Sequence, residues 1–158
     1  MELKDIATVI AFILVCQMAG IIGSVFTIDG IEGWYDTLVK PDITPPNWVF
    51  GPVWTLLYAM MGISAFLVYK SGIEKKENKI ALGIFLFQLV LNTLWSIVFF
   101  GMNSLGGALA IIAILWISIV ATIISFYKIS RVAAGLLIPY LLWVTFASIL
   151  NYLLFSLN

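Results

Sequence analysis

The side chains able to recognise a ligand or do chemistry fall into short stripes at helical spacing. Asn47, Gly51, Trp54 and Tyr58 stand at i, i+4, i+7 and i+11, and Gln88, Asn92, Trp95 and Phe99 repeat that pattern. Each set occupies one face of a helix. Trp143, Ala147 and Asn151 give a further stripe at i, i+4 and i+8, and Gln17, Gly20 and Ser24 another, while Ser118, Thr122 and Ser125 offer a weaker one. Together such groups can stack a flat apolar guest on indole faces and meet its polar edges with amides. They lack the usual means of acid–base or nucleophilic catalysis, because the chain has no histidine and one cysteine, Cys16. A closed zinc site takes about four Cys, His or carboxylate ligands, and haem is most often held by His or Cys. No metal and no resident cofactor is expected.

Taken singly, each of these residues also reads as packing. Asn and Gln serve as interhelical glue, and Trp and Tyr as interfacial anchors. Convergence of several stripes at one depth favours a pocket. At ~1.5 Å per residue Trp54 lies ~13 Å below Pro45, and Asn92 the same distance below Gly101. Trp143 is expected deeper, near the midplane, as a floor.

The elements that must carry these stripes follow from composition. The chain has 158 residues, 63% hydrophobic and 10% charged, with eight basic and eight acidic residues that cancel. Water-soluble domains run at ~45–50% apolar and ~25% charged, so this is a membrane protein. The absence of net charge gives no basic patch for nucleic acid. Five uncharged stretches, Ile6 to Phe26, Pro45 to Tyr69, Ile80 to Gly101, Leu105 to Tyr127 and Val132 to Leu157, are each long enough to cross ~30 Å of hydrocarbon as a helix. No strict apolar–polar alternation suggests a barrel. The expected fold class is therefore all-α, a polytopic five-transmembrane-helix bundle forming one domain over residues 1–158.

With five spans, Lys4, Lys70, Lys75, Lys76, Lys79, Lys128 and Arg131 share one side and only Lys40 lies on the other. The positive-inside rule then places the N-terminus in the cytoplasm and the C-terminus outside. The expected host is a prokaryotic cytoplasmic membrane. The external side carries the longest connection, residues 27–44, with Trp34 and Tyr35, and it reads as a structured lid. Thr44 and Pro45 suit the cap and first position of the second helix, and Pro52 and Pro139 are expected to kink their helices. Ion-coupled pumps usually place ionisable groups at membrane depth, and none lies in any of these spans.

Longer motifs add a resemblance. Trp34-Tyr35 with Lys40-Pro41, the run Thr44-Pro45-Pro46-Asn47-Trp48-Val49-Phe50-Gly51-Pro52-Val53-Trp54-Thr55-Leu56-Leu57-Tyr58, then Leu91-Asn92-Thr93-Leu94-Trp95-Ser96 with Phe99-Phe100-Gly101, and Pro139-Tyr140-Leu141-Leu142-Trp143-Val144-Thr145-Phe146-Ala147-Ser148-Ile149-Leu150-Asn151-Tyr152 closely resemble the translocator protein family. Its members are also called tryptophan-rich sensory proteins (TspO/MBR) or peripheral-type benzodiazepine receptors. The resemblance covers nearly the whole chain. It implies a five-helix membrane protein, commonly a homodimer, that acts as receptor, sensor or carrier for tetrapyrroles such as protoporphyrin IX or other flat hydrophobic molecules. By motif, Trp34 and Tyr35 would close the pocket, and Trp54, Asn92, Trp95, Trp143, Ala147 and Asn151 would line it, with Asn92 and Asn151 bonding polar edges. Asn47, Gly51, Tyr58 and Gln88 complete the expected site from the stripes. In some bacterial relatives the tryptophans matching Trp54 and Trp143 are implicated in light- and oxygen-dependent porphyrin degradation, which makes them the catalytic residues of an alternative, enzymatic reading. The sterol pattern of animal members ends in a basic residue, whereas Leu150 and Tyr152 are followed by Leu153-Leu154-Phe155-Ser156-Leu157-Asn158. That departure argues against sterol binding.

Overall fold

The computed structural model describes residues 2–158. Among them, five helical segments are long and apolar enough to cross a membrane, and no strand occurs. Hydrocarbon supplies no hydrogen-bond partners, so the β-branched residues that would favour strands in water are forced into helices, which pair their own backbone. The helices are α1 (Leu3–Glu32), α2 (Phe50–Lys70), α3 (Lys76–Ser96), α4 (Leu105–Tyr127), α5 (Arg131–Leu136) and α6 (Ile138–Leu157). They form a ring in which α1 packs on α2 and α3, α4 packs on α3 and α6, and α5 packs on α2 and α4. The Lys70 ammonium lies 3.1 Å from the Asp5 carboxylate, so the start of α1 and the end of α2 share one end of the bundle.

Helix boundaries depart from the sequence expectation at four places, each for a local reason. α1 continues to Glu32, so the first six residues of the presumed 27–44 loop are helical. Pro52 falls in the first turn of α2, where the N–H it lacks has no intrahelical acceptor, and it makes no kink of the kind expected. Thr44 and Pro45 do not start that helix; a single 3₁₀ turn over Asn47–Val49 precedes it. The fifth span is two helices. Pro139 cannot donate to the Gly135 carbonyl and its ring would crowd that oxygen, so the helix is interrupted at Leu137, whose N–H bonds Ala134 O at 3.1 Å.

The end of α3 carries another irregularity. Ile97–Gly101 form a π-helical turn closed by the Met102 N–H on Ile97 O at 2.9 Å. Asn103 then takes the left-handed conformation at φ 54°, and Ser104 caps α4 by accepting from the Gly107 N–H at 3.0 Å. One extra residue in the turn rotates Phe99 and Phe100 relative to α3, which sets them beneath the loop that follows α1.

Small residues let α1 approach its neighbours. Its buried positions are Cys16, Ala19, Gly23 and Gly30, while Ile10, Leu14, Met18, Ile22 and Val25 face lipid. The tightest approach is Gly62 of α2 on Ile13, where an added Cβ would stand 2.5 Å from a backbone Cα. Dispersion between closely approaching backbones drives helix association where no hydrophobic effect operates.

The interior holds a chain of side-chain hydrogen bonds through three helices. The Tyr58 hydroxyl donates to Asn92 Oδ1, Asn92 Nδ2 donates to the Tyr140 oxygen at 2.9 Å, and the Tyr140 hydroxyl donates to Gln88 Oε1 at 2.6 Å. All four residues are at most 5% exposed. Ser64 on α2 donates to Ala133 O on α5 at 2.6 Å, and Thr93 on α3 donates to Ala19 O on α1 at 3.2 Å.

Stability outcomes for four variants follow. Gly62→Val should lower the melting temperature in detergent sharply, because the clash is with backbone and overpacking costs ~1–3 kcal/mol or more. Gly83→Ala, at an open position of α3, should be neutral or slightly stabilising, since Gly costs a helix ~0.5–1 kcal/mol relative to Ala. Tyr140→Phe should destabilise by ~1–3 kcal/mol per group left unpaired. Adding Gln88→Met should recover part of that loss, as replacing both partners by apolar groups removes the unpaired acceptor. A double variant no more stable than Tyr140→Phe alone would refute the pairing.

Candidate ligand-binding site

Above this polar chain the ring of helices does not close. α2 faces α6 through aromatic side chains, and the backbone spacing they require leaves a cavity of about 250 Å³ in the half of the bundle nearest the 27–44 connection. Trp54 meets Trp143 with ring centres 6.5 Å apart and planes at 86°, and it stacks on Tyr58 at 5.5 Å and 27°. Phe50 and Phe146 flank Trp143 at 6.1 and 5.5 Å. Edge-to-face and offset-stacked pairs at such distances are the favoured arrangements of rings. The result is an apolar chamber walled by ring faces and edges, without a charged side chain among its lining residues.

Eight of the twelve residues anticipated from sequence line the cavity: Tyr35, Gly51, Trp54, Tyr58, Trp95, Trp143, Ala147 and Asn151. So do Gln17, Gly20 and Ser24 of the first-span stripe, and no residue of α4 does. The other four anticipated residues do not. Asn47 is exposed in the 3₁₀ turn ahead of α2. Trp34 lies behind the wall, its ring edge-on to Phe99 at 5.5 Å. Gln88 and Asn92 sit beneath the floor in the buried hydrogen-bond chain and reach the cavity only through Tyr58. Asn92 therefore does not present its amide to a guest as expected.

Asn151 touches the cavity, yet its amide is engaged with protein. Its Oδ1 accepts from Trp95 Nε1 at 3.0 Å, and its Nδ2 donates to Leu105 O at 3.1 Å. The pair fixes the Trp95 indole against α6 and so sets the shape of the wall. Trp143, expected as a floor, is instead a side wall level with Trp54; Tyr58 is the floor.

Several buried polar atoms are left without a partner among the described residues, Gln88 Nε2 of the hydrogen-bond chain among them. Trp143 Nε1 and the Tyr35 hydroxyl are buried and have no hydrogen-bond partner among the described residues. Burial, with Asp36 beside it, pushes the Tyr35 phenol up to about 12, so it stays a neutral O–H donor at physiological pH. Both atoms are shut off from the open space of the chamber, whose lining includes the polar residues Gln17, Ser24, Thr27, Thr55, Ser96 and Asn151. Among the described residues no group of His, Cys, Asp or Glu could hold a metal ion.

Tyr35 closes the chamber from the connecting segment. It is 2% exposed, packs on Phe99 at 6.2 Å and Phe100 at 5.8 Å, and has the Lys40 ammonium 4.8 Å from its ring centre. Sequence reasoning missed Phe50, Phe100, Phe146 and Leu150 as lining residues. An apolar residue in an apolar span carries no marking; position i+3 from Trp143 is the signal that could have found Phe146.

Residues 12–156 match the TspO/MBR family. The chain is 44% identical over 155 residues to the tryptophan-rich protein TspO of Chlorobaculum tepidum, covering 98% of each chain. It is 36% identical over 154 residues to the tryptophan-rich sensory protein of Cereibacter sphaeroides, covering 98% of this chain and 93% of that one. It is 39% identical over 142 residues to the human translocator protein, covering 89% of this chain and 84% of the other. These matches span all five membrane helices and every cavity-lining segment, and the chain belongs to the TspO/MBR family of integral membrane proteins.

Proposed function

We propose that the protein is a membrane receptor, sensor or carrier that binds a tetrapyrrole of the protoporphyrin IX kind, or another flat hydrophobic molecule, in the aromatic cavity between α2, α3 and α6. The observation that carries this reading is the perpendicular pair Trp54 and Trp143 lining one chamber with no charged wall residue. Each indole offers a flat apolar surface, and Gln17, Ser24 and Thr55 line the same chamber with polar groups for the edge of such a ligand. The cavity volume of about 250 Å³ lies just below the ~300–1,000 Å³ of ordinary ligand pockets, so a macrocycle fills it and extends toward its open side. Absence of histidine from the sequence favours a metal-free ring over axially held haem.

The distribution of seven basic residues against one supports a cytoplasmic N-terminus, in a prokaryotic cytoplasmic membrane. A homodimer is supported by the resemblance to the family. The second reading, an enzyme that degrades porphyrin in light and oxygen, is favoured by the same pair of tryptophans, since both would touch the ring.

A fluorescence titration of the protein in lipid nanodiscs with protoporphyrin IX should saturate at one site. Ala147→Phe, which fills the wall beside Trp143, should weaken affinity at least tenfold; unchanged affinity would reject this cavity. Under illumination, loss of porphyrin absorbance with a new product band would mark turnover. Trp54→Phe with Trp143→Phe should then stop product formation while keeping an aromatic surface, and product at the original rate would count against the enzymatic reading.

A further inference from the structure

The α2–α6 seam is filled by Phe50 and Trp54 set edge-on to Trp143 at 6.1 and 6.5 Å; of the three remaining sides through which a ligand could pass, the structure closes two. Below, Tyr58 and the hydrogen-bond chain to Gln88 form a sealed floor. Above, the connecting segment is tied down at two points. Tyr35 is wedged against Phe99 and Phe100, and Val39 is clasped by the Asn158 side chain, whose Oδ1 accepts from Val39 N–H at 3.1 Å while its Nδ2 donates to Val39 O at 3.0 Å. Passage that way would break both bonds and expose a ring that is 2% accessible.

The third side is the seam between α1 and α2. The two helices touch at Gly20 and Tyr58, where a Cβ on Gly20 would meet the phenol ring at 2.5 Å, and at Gln17, whose Nε2 donates to Thr55 O at 2.9 Å. Toward the connecting segment they part. Gly51 and Thr55 of α2 and Ile21 of α1 line the cavity and are nevertheless exposed, and a Cβ built on Gly51 finds no atom within 4 Å. Ser24, opposite, turns its hydroxyl back to Ile21 O and makes no bond across the gap. The surfaces beside the gap are Met18, Ile22, Val25 and Leu56, each 49–62% exposed and apolar, so the opening lies at a depth where lipid chains are the solvent.

We infer that the cavity exchanges its ligand sideways with the bilayer, through the slot between α1 and α2, and so takes amphiphiles dissolved in the leaflet on the side of the 27–44 connection. This rests on the reading of the cavity as a ligand site. Gln17 bonded to Thr55 is the sill of the slot, and Gly51 keeps it open because it has no side chain. The clasp at Asn158 holds the aqueous side shut during exchange. A flat amphiphile slides in edge first, with its acceptor groups toward the interface and Tyr35.

Two cross-links decide the route. Ser24→Cys with Gly51→Cys spans the slot, and Val39→Cys with Asn158→Cys fixes the connecting segment; the native Cys16 is 1% exposed and does not compete. Each pair is joined in nanodiscs by a short cleavable bismaleimide, and transfer of bound protoporphyrin IX to excess empty vesicles is followed by fluorescence. The slot link should slow release at least tenfold, reversibly on cleavage, and the other link should leave the rate within twofold. Slowing by the Val39–Asn158 link, or none by the slot link, would overturn the route. A measurement without ligand separates this from failure of the binding site itself. In a variant retaining Trp143 as its sole tryptophan, phospholipid brominated high on its acyl chains should quench indole fluorescence, and the slot link should remove that quenching. Quenching that persists with the slot linked would also overturn the inference.

Discussion

A buried amide or hydroxyl in hydrocarbon must find its partner inside the protein, and this requirement organises the bundle. Leaving such a group unpaired costs several kcal/mol, so Tyr58, Asn92, Tyr140 and Gln88, drawn from α2, α3 and α6, have few arrangements open to them. Their serial bonds tie three helices at one level. The apolar surfaces of the helices cannot do this alone, because lipid tails compete with them on equal terms. The level at which the polar chain closes is the level at which the cavity ends.

The same requirement divides labour between amides and rings. Asn92 and Asn151 are engaged by protein groups, which makes them determinants of shape. Trp95 is oriented by Asn151, and Trp54 is seated by stacking on Tyr58, whose own hydroxyl is fixed by Asn92. Trp95 is thus held directly by an amide, and Trp54 through Tyr58. The ligand-facing surface is mostly apolar, with Gln17, Ser24, Thr55 and Ser96 among its polar members. A site built this way discriminates by flatness and by where a guest carries its acceptors, and charge has no part in it.

The spans were legible because lipid leaves the backbone only one economical solution, and a run such as Leu105–Tyr127 has no charged residue to suggest another. Stripe spacing located Gly51, Trp54 and Tyr58 on one wall, since 3.6 residues per turn is all that placement on a face requires. Tyr140 was not recognised as the partner of Asn92 and Gln88, because pairing across 48 and 52 residues depends on how helices are rotated about their axes. Phe100 joins Phe99 at the cavity through the π-turn, a one-residue irregularity that no residue type announces. Pro52 looked like a kink because its span was taken to begin at Pro45; five residues of difference in the helix start changed its meaning from interior to first turn.

Two of the helices that wall the cavity are irregular. The π-turn at Ile97–Gly101 and the break at Leu137 are in helices that contribute walls, whereas α4, regular from Leu105 to Tyr127, contributes none. An added residue or a break changes the rotation of the helix partway along, so that packing fitted on one side of the irregularity no longer fits on the other. In α3 the change brings Phe99 and Phe100 under Tyr35. In the α5 and α6 pair it allows Ala133 to pack against Ser64 of α2 while Trp143, farther along, stands off from that helix by the width of an indole ring. The cavity is therefore the space that opens when helices joined tightly at one end are made to diverge at the other, and α1, thin at Gly20 and Gly23, is the wall that comes closest without filling it.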